Sequence, residues 1–357
     1  AVDLYQGMGE LNGSHFTNYP PVNQLNFLIA ALFSNSSILG SVVVLRLQII
    51  LADIGIIYFG KKILETLNLS VHHIFLYALN PFIIIELTGN LHFESVMLFF
   101  FVWSLYLLLK GKWIWAAIIL GLSVSVKLIP LLFLPLFYQW FTSNQTMRSF
   151  DTNQDNTSLF NRVQSRPFSF IGFGKLCLFG VVVILTNVIL FIPFVSSELI
   201  SNYTNSVGLW FRNFEFNASL YYIAREIGYL FRGWNEIAII GKIMPAVAVT
   251  FLTIITFFRN NKSPQQLITA LLFGLTFYYF TTTTMHPWYL STLIILSVFT
   301  KYRFTIVWSV AIILSYQAYA NDPWKENLWF VGIEYVLIYG YLIWEILPIK
   351  TRLKITS

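Results

Sequence analysis

Apolar residues run along this chain in long blocks, and polar residues gather in short knots between them. The blocks lie near 38–59, 71–88, 93–109, 113–126, 128–140, 175–194, 237–258, 266–284, 288–300, 304–320 and 328–347. Blocks of this kind, with few charges, read as membrane-spanning helices, and the weak alternation of a transmembrane barrel is absent. The pattern predicts an all-α fold, a polytopic transmembrane helical bundle. Two neighbouring blocks, 113–126 and 128–140, are short. A helix of fourteen residues rises about 21 Å, against about 30 Å of hydrocarbon. Lys127 separates these two blocks, so it is expected inside the outer part of the membrane, facing protein or a water-filled cavity. Pro130 and Pro135 fit a broken helix pair there. The block at 288–300 is short as well and begins at Met285-His286-Pro287-Trp288, with proline at the favoured first helical position.

Between the blocks lie three longer polar stretches within a single expected transmembrane domain, 1–357. Residues 1–36 read as an external loop with a short re-entrant apolar segment after Tyr19-Pro20-Pro21. Residues 141–170 are polar and low in large aliphatics, as in a cytoplasmic linker. In the external stretch 195–235, Leu220, Ile223, Ala224, Ile227 and Leu230 recur at helical spacing, which predicts a helix lying in the membrane interface.

Composition sharpens the picture. The chain is 57% hydrophobic and only 11% charged, against about 25% charged in soluble domains. The net charge of +6 does not point to nucleic acid, because Lys and Arg stand singly or in pairs at the ends of apolar blocks. If the spans alternate, 15 of the 22 fall on one side: Lys61, Lys62, Lys110, Lys112, Arg148, Arg162, Arg166, Lys175, Arg259, Lys262, Lys301, Arg303, Lys350, Arg352 and Lys354. The positive-inside rule makes that side cytoplasmic. A lone cysteine, Cys177, excludes an intrachain disulfide. The polar opening cannot translocate itself, so a span upstream of residue 1 is expected.

Candidate chemistry comes from the polar residues that interrupt apolar runs, since an ionisable group in a span costs about 2.5–3.5 kcal/mol and is a functional-site candidate. Glu86, Asn90, His92, Glu94 and Lys127 form one such series. A carboxylate beside an imidazole orients a hydroxyl or moves a proton; capping and loop hydrogen bonds are the plainer reading. Lys127, Arg212, Arg225 and His286 are the cations placed near the external face, where with the helix start at 287–288 they could hold a lipid phosphate. For each alone, snorkelling or pairing with Glu215 or Glu226 explains it equally well. Arg46 and Asp53 read as buried charges satisfied within the bundle, and Thr281–Thr284 as hydroxyls on backbone carbonyls. Asn12, Asn35, Asn202 and Asn217 head Asn-x-Ser/Thr triplets of low specificity. No His-x-x-x-His or paired cysteine suggests zinc.

Several of these residues carry a resemblance. Tyr19-Pro20-Pro21 before a membrane segment, the NP at 80–81 followed by GNLHFE at 89–94, the Lys127-x-x-Pro130 turn, FEFNASLYY at 214–222 and His286-Pro287-Trp288-Tyr289 resemble the GT-C superfamily. More narrowly, the chain is similar to bacterial polyprenol-phosphate-mannose-dependent mannosyltransferases, over nearly its whole length. The resemblance implies an integral membrane glycosyltransferase of the plasma membrane with an extracytoplasmic cavity. It would move a hexose, mannose, from a polyprenyl-phosphate donor to a glycan or lipid acceptor, with membrane lipid and no nucleic acid as partners. No cofactor is implied, and metal dependence stays open. The acceptor hydroxyl attacks the anomeric carbon with inversion and lipid phosphate leaves. On this reading Glu94, His92 and Asp3 are the catalytic candidates, and Lys127, Arg212, Arg225 and His286 bind donor phosphate. Tyr19, Asn90, Asn217, Tyr222, Trp288 and Tyr289 line the substrate site. The family's acidic motif follows an early span, so the base is expected upstream of residue 1 rather than at Asp3, the only carboxylate before Glu10. A transporter or flippase of a lipid-linked or anionic solute, or a non-catalytic subunit of an envelope polysaccharide complex, are the competing readings; related halves, typical of transporters, are not seen.

Overall fold

A computed structural model describes residues 2–7, 13–14, 16–143, 169–212, 214–321 and 325–347. Most of the expected linker at 141–170, and Asn12, lie outside the described residues. The described chain is helical: α1 Val2–Gly7, α2 Pro21–Phe33, α3 Ile38–Thr66, α4 Val71–Ala78, α5 Pro81–Gly89, α6 Glu94–Leu109, α7 Trp113–Val124, α8 Ile129–Thr142, α9 Phe170–Phe194, α10 Leu199–Arg212, α11 Leu220–Arg232, α12 Ile237–Phe257, α13 Pro264–Thr281, α14 Pro287–Val298, α15 Phe304–Ala320 and α16 Leu328–Ile346.

Four of these, α3, α9, α12 and α16, are long and apolar enough to cross a membrane. They form an outer belt. Only 11% of the apolar window of α9 is buried inside the protein, and Leu185, Ile189, Val249, Ile254, Val336 and Leu337 face outward. In water each such side chain would forfeit about 1.5–3 kcal/mol relative to burial; against lipid tails the penalty vanishes. Among the shorter helices α14 is enclosed. Every residue from Leu290 to Val298 on α14 is buried, so this helix is short because it is wrapped by protein rather than because it spans.

The expected helix at 71–88 is two helices bent by 49°. Pro81 has no N–H to continue the ladder and forces its predecessor out of helical geometry; Asn80 is extended and caps the new start by accepting from Phe82 N at 3.0 Å. Pro130 and Pro135 have the weaker effect of tightening α8 into 3₁₀ turns. The re-entrant segment after Pro21 is a full helix of 13 residues, and α10 is a helix that the polar composition of 195–213 did not predict.

Polar clamps tie the basic ends together. Gln139 Nε2 donates to the carbonyls of Thr256 and Arg259 at 2.9 and 2.6 Å, and Gln265 reaches Leu67 O. Glu345 accepts from the backbone N–H groups of Arg303 and Phe304. These ends of α3, α8, α12, α13, α15 and α16 thus gather at one end of the bundle, as the charge pattern requires. At that same end α9 presses against α8: a Cβ on Gly172 would lie 2.0 Å from the Phe141 carbonyl oxygen. Gly172→Ala is therefore expected to push the two helices apart and cost about 1–3 kcal/mol, read as a lowered unfolding temperature of the detergent-solubilised protein.

Candidate active site

The site lies at the other end, where α7 stops. Ser125 closes α7, and its carbonyl accepts the first free amide of α2, Val22 N, at 2.9 Å. This anchors the Tyr19-Pro20-Pro21 corner beside the next turn. Lys127 extends from that turn to form an ion pair with Glu94 Oε1. Glu94 opens α6 and is 1% exposed. Tyr19 and Tyr289 flank the ammonium, with ring centroids 5.5 and 5.9 Å from Nζ. The neighbouring Ser95 donates to Asp53 at 2.9 Å, as does Tyr77, so the start of α6 is held from behind by α3. Arg46 instead donates to the carbonyls of Thr88 and Gly89, at 3.0 and 3.1 Å. Arg46 and Asp53 are each satisfied within the bundle.

The end of α5 winds as a π-helix, Ile84–Gly89. The wider turn continues into the loop as five-residue hydrogen bonds, Asn90 N to Ile85 O at 2.9 Å and His92 N to Leu87 O at 3.1 Å. Such turns concentrate at functional sites. Glu86 projects from it, 1% exposed, and accepts from Asn90 Nδ2 at 2.8 Å. Its other oxygen lies 3.8 Å from His92 Nε2 without a hydrogen bond. Leu91, between Asn90 and His92, holds a φ of 61°, a conformation that costs about 1–3 kcal/mol and persists only where surrounding structure enforces it.

His92 stacks on Trp288 with centroids 3.9 Å apart, and His286 stacks on the same indole at 4.4 Å. Two rings this close and nearly parallel to it cannot share one face, so the imidazoles cover opposite faces of Trp288. Its faces are thereby closed to a sugar ring in this state. Phe216 continues the stack beyond His286 at 5.4 Å. Burial, followed by the Lys127 ammonium, pushes both imidazoles down to about 3. The Glu86 contact opposes this at His92, but at 3.8 Å no hydrogen bond forms. An unfolded chain takes up these protons below its ordinary value of 6.5; the folded one does not. Stability is thus full above about pH 6.5 and falls as pH drops toward 3, by up to about 1.4 kcal/mol per pH unit for each imidazole. Unfolding temperatures between pH 7 and 5 should show this decline, and His286→Gln should flatten it.

The FEFN segment forms the outer wall. Phe216 bridges the chain before α14: its N–H donates to Thr283 O at 3.1 Å and its carbonyl accepts from Met285 N at 2.8 Å. Thr284 Oγ1 donates to Phe214 O and Thr281 Oγ1 to Phe277 O, the backbone role expected of these threonines. Asn217 is fully buried with φ 45°. Its N–H donates to Glu326 at 2.6 Å and its side chain to Glu334 at 3.1 Å, while Tyr335 OH donates to its carbonyl at 2.7 Å. Its glycosylation triplet is therefore sealed in the fold. Tyr222 donates to Glu326, and Arg225 lies over the Tyr222 ring at 4.3 Å.

Arg225 pairs with Glu215 at 2.6 Å and Glu226 at 2.9 Å. Those carboxylates, first among several groups, hold it protonated against the cost of burial. It therefore braces the outer wall. The structure brings Tyr19, Asn90, His92, Glu94, Lys127, His286, Trp288 and Tyr289 into one connected cluster, and joins Asn217, Tyr222 and Arg225 to it through Phe216. Asp3 lies on α1 and Arg212 ends α10; their side chains are outside the described residues. Glu86, a candidate from the series of interruptions, and Glu215, a foreseen ion-pair partner, belong to the assembly, as do Glu326 and Glu334, to which the sequence assigned no role. Glu334 carried a visible signal, an acid inside the apolar block 328–347. Among the described residues no three His, Cys, Asp or Glu side chains converge as a metal site.

A comparison with curated proteins gives no match. Residues 13–143 match the model of a family described as alpha-(1->6)-mannopyranosyltransferase, N-terminal domain. The matched segment carries the α2 corner, the π-turn with Glu86, and the Glu94–Lys127 pair, that is, the inner wall of the cluster. Residues 13–143 are thus similar to a mannosyltransferase domain, and they sit in a helical bundle with four helices able to cross a membrane.

Proposed function

We propose that this chain is a GT-C-type membrane enzyme that transfers mannose from a polyprenyl-phosphate donor to a glycan or lipid acceptor, on the extracytoplasmic side of the plasma membrane. The observation that carries this reading is Lys127: a buried cation at a helix break, walled by Tyr19 and Tyr289, at the end of the bundle opposite the basic clamps. As the glycosidic bond breaks, negative charge grows on the departing phosphate. A cation fixed beforehand in a water-poor pocket stabilises that change more than it stabilises the ground state. The carrier's isoprenoid tail needs an apolar surface, which the outer belt supplies, and a lipid-held donor needs no nucleotide-binding domain. On this reading Asn90 and His92, beside the Lys127 pocket, bind sugar and acceptor hydroxyls, while Asn217 and Tyr222 brace the wall through Glu326 and Glu334. No resident cofactor enters this scheme.

The test is transfer of radiolabelled mannose by the chain in proteoliposomes, supplied in parallel with polyprenyl-phosphate mannose and with a nucleotide-linked mannose. Transfer from the lipid donor alone is expected. Transfer from the nucleotide donor alone would overturn the donor assignment, and undiminished transfer by Lys127→Ala, His286→Ala would remove the site assignment.

A further inference from the structure

The Glu94–Lys127 pair leaves hydrogen-bonding capacity unused on both partners. An ammonium has three N–H donors; one meets Glu94 Oε1, and among the described residues no second oxygen hydrogen-bonds it. The ammonium also lies over the rings of Tyr19 and Tyr289. Glu94 Oε2 is buried and has no hydrogen-bond partner. Buried carboxylate oxygens ordinarily find donors, and one that does not is in place for a group that arrives later. The titratable and charged groups that face Glu94 are Lys127 from the turn, Tyr289 and Tyr279 from α14 and α13, Tyr77 from α4 and Glu86 from α5. Lys127 is the sole cation among them.

We propose that the pair is an exchange device: donor phosphate takes over Lys127, and Glu94, released from its counter-ion, accepts the acceptor's proton on Oε2. The proposal rests on the polyprenyl-phosphate reading above. In the empty site Lys127 is the counter-ion of Glu94. A phosphate oxygen entering between the tyrosine rings replaces that counter-charge and leaves Glu94 more basic beside an anion. The acceptor O–H then breaks, its proton passing to Glu94 and its oxygen bonding the anomeric carbon. The bond from that carbon to the phosphate oxygen breaks, the electron pair stays with phosphate, and the resulting dianion rests on Lys127. The base is thus strengthened only when the donor is present, which protects a bound acceptor from unproductive deprotonation.

The product state offers a direct measurement. Binding of polyprenyl phosphate to the full chain in nanodiscs should draw in about one proton per site near pH 7, seen by calorimetry in buffers of different ionisation enthalpy. Glu94→Gln should abolish this uptake, bind polyprenyl phosphate several-fold more tightly because Lys127 loses its competitor, and lower kcat by about 10²-fold or more. Uptake that persists in Glu94→Gln would assign the proton to an imidazole and overturn the proposal, as would weaker phosphate binding by that variant. Should the variant not fold, wild-type protein decides alone: binding without proton uptake sinks the exchange while leaving the donor assignment intact. No binding of polyprenyl phosphate, together with no transfer from its mannoside, would sink both.

Discussion

Lys127→Met is expected to lower mannosyl transfer by about 10²–10³-fold, the usual effect of removing one preorganised group that stabilises developing charge. Methionine keeps the length of the side chain and deletes the charge. A second effect accompanies the first. Glu94, 1% exposed, is left without a counter-ion, and breaking a buried pair from one side costs about 3–5 kcal/mol. Lost activity in the single variant would therefore mix chemistry with instability. The double variant Glu94→Leu, Lys127→Met separates them, because replacing a whole buried pair by apolar side chains is often neutral. Its unfolding temperature should return close to wild type while transfer stays absent. Recovery of transfer in the double variant would show that the pair is structural.

The largest expected effect away from the pair is at Asn217. Asn217→Val forces a β-branched residue into φ 45°, a cost of about 1–3 kcal/mol, and deprives buried Glu334 of one of its two donors, leaving only Trp308. Losing one hydrogen bond to a buried carboxylate adds about 1.5–3 kcal/mol. Together these amount to a loss of about 3 kcal/mol or more, visible in denaturation of the solubilised protein. Because Phe216 is the next residue and stacks on His286, transfer should fall further than stability alone explains. Asn217→Asp, which tolerates the same backbone geometry, separates the two contributions: it keeps the turn and loses the hydrogen bond to Glu334.

Much of the architecture could be read from the residues because lipid makes simple demands. An apolar block of sufficient length must be helical, and a proline or charge inside it must mark a break; α3, α9, α12 and α16 and the interruption at Lys127 follow from this alone. Pro81 beside Asn80 signalled the bend between α4 and α5, yet an uninterrupted apolar run argued for one helix. The polar cluster was visible as a series of interruptions between Glu86 and Lys127. What the series cannot show is direction. Glu94 meets Lys127 across 33 residues, but Asn217 meets Glu326 and Glu334 across 109 and 117. No local spacing relates positions so distant. Arg225 shows the same limit from the other side: its charge suggested an anion site, while Glu215, ten residues away, already occupies it.

The two walls of the pocket differ in how they are fastened. On the inner wall, backbone amides of α2 bond to the carbonyl of Ser125, so the segment bearing Tyr19 and the turn bearing Lys127 must travel as a single rigid piece. On the opposite wall, rings lie against rings, Phe216 on His286 and His286 on Trp288. The Phe216 backbone is itself bonded to Thr283 and Met285, so what can slide there is ring against ring, not the chain that carries them. If the donor is held by a lipid, as proposed above, the stacked side is the one that would yield to admit it, with the laced side acting as the fixed jaw.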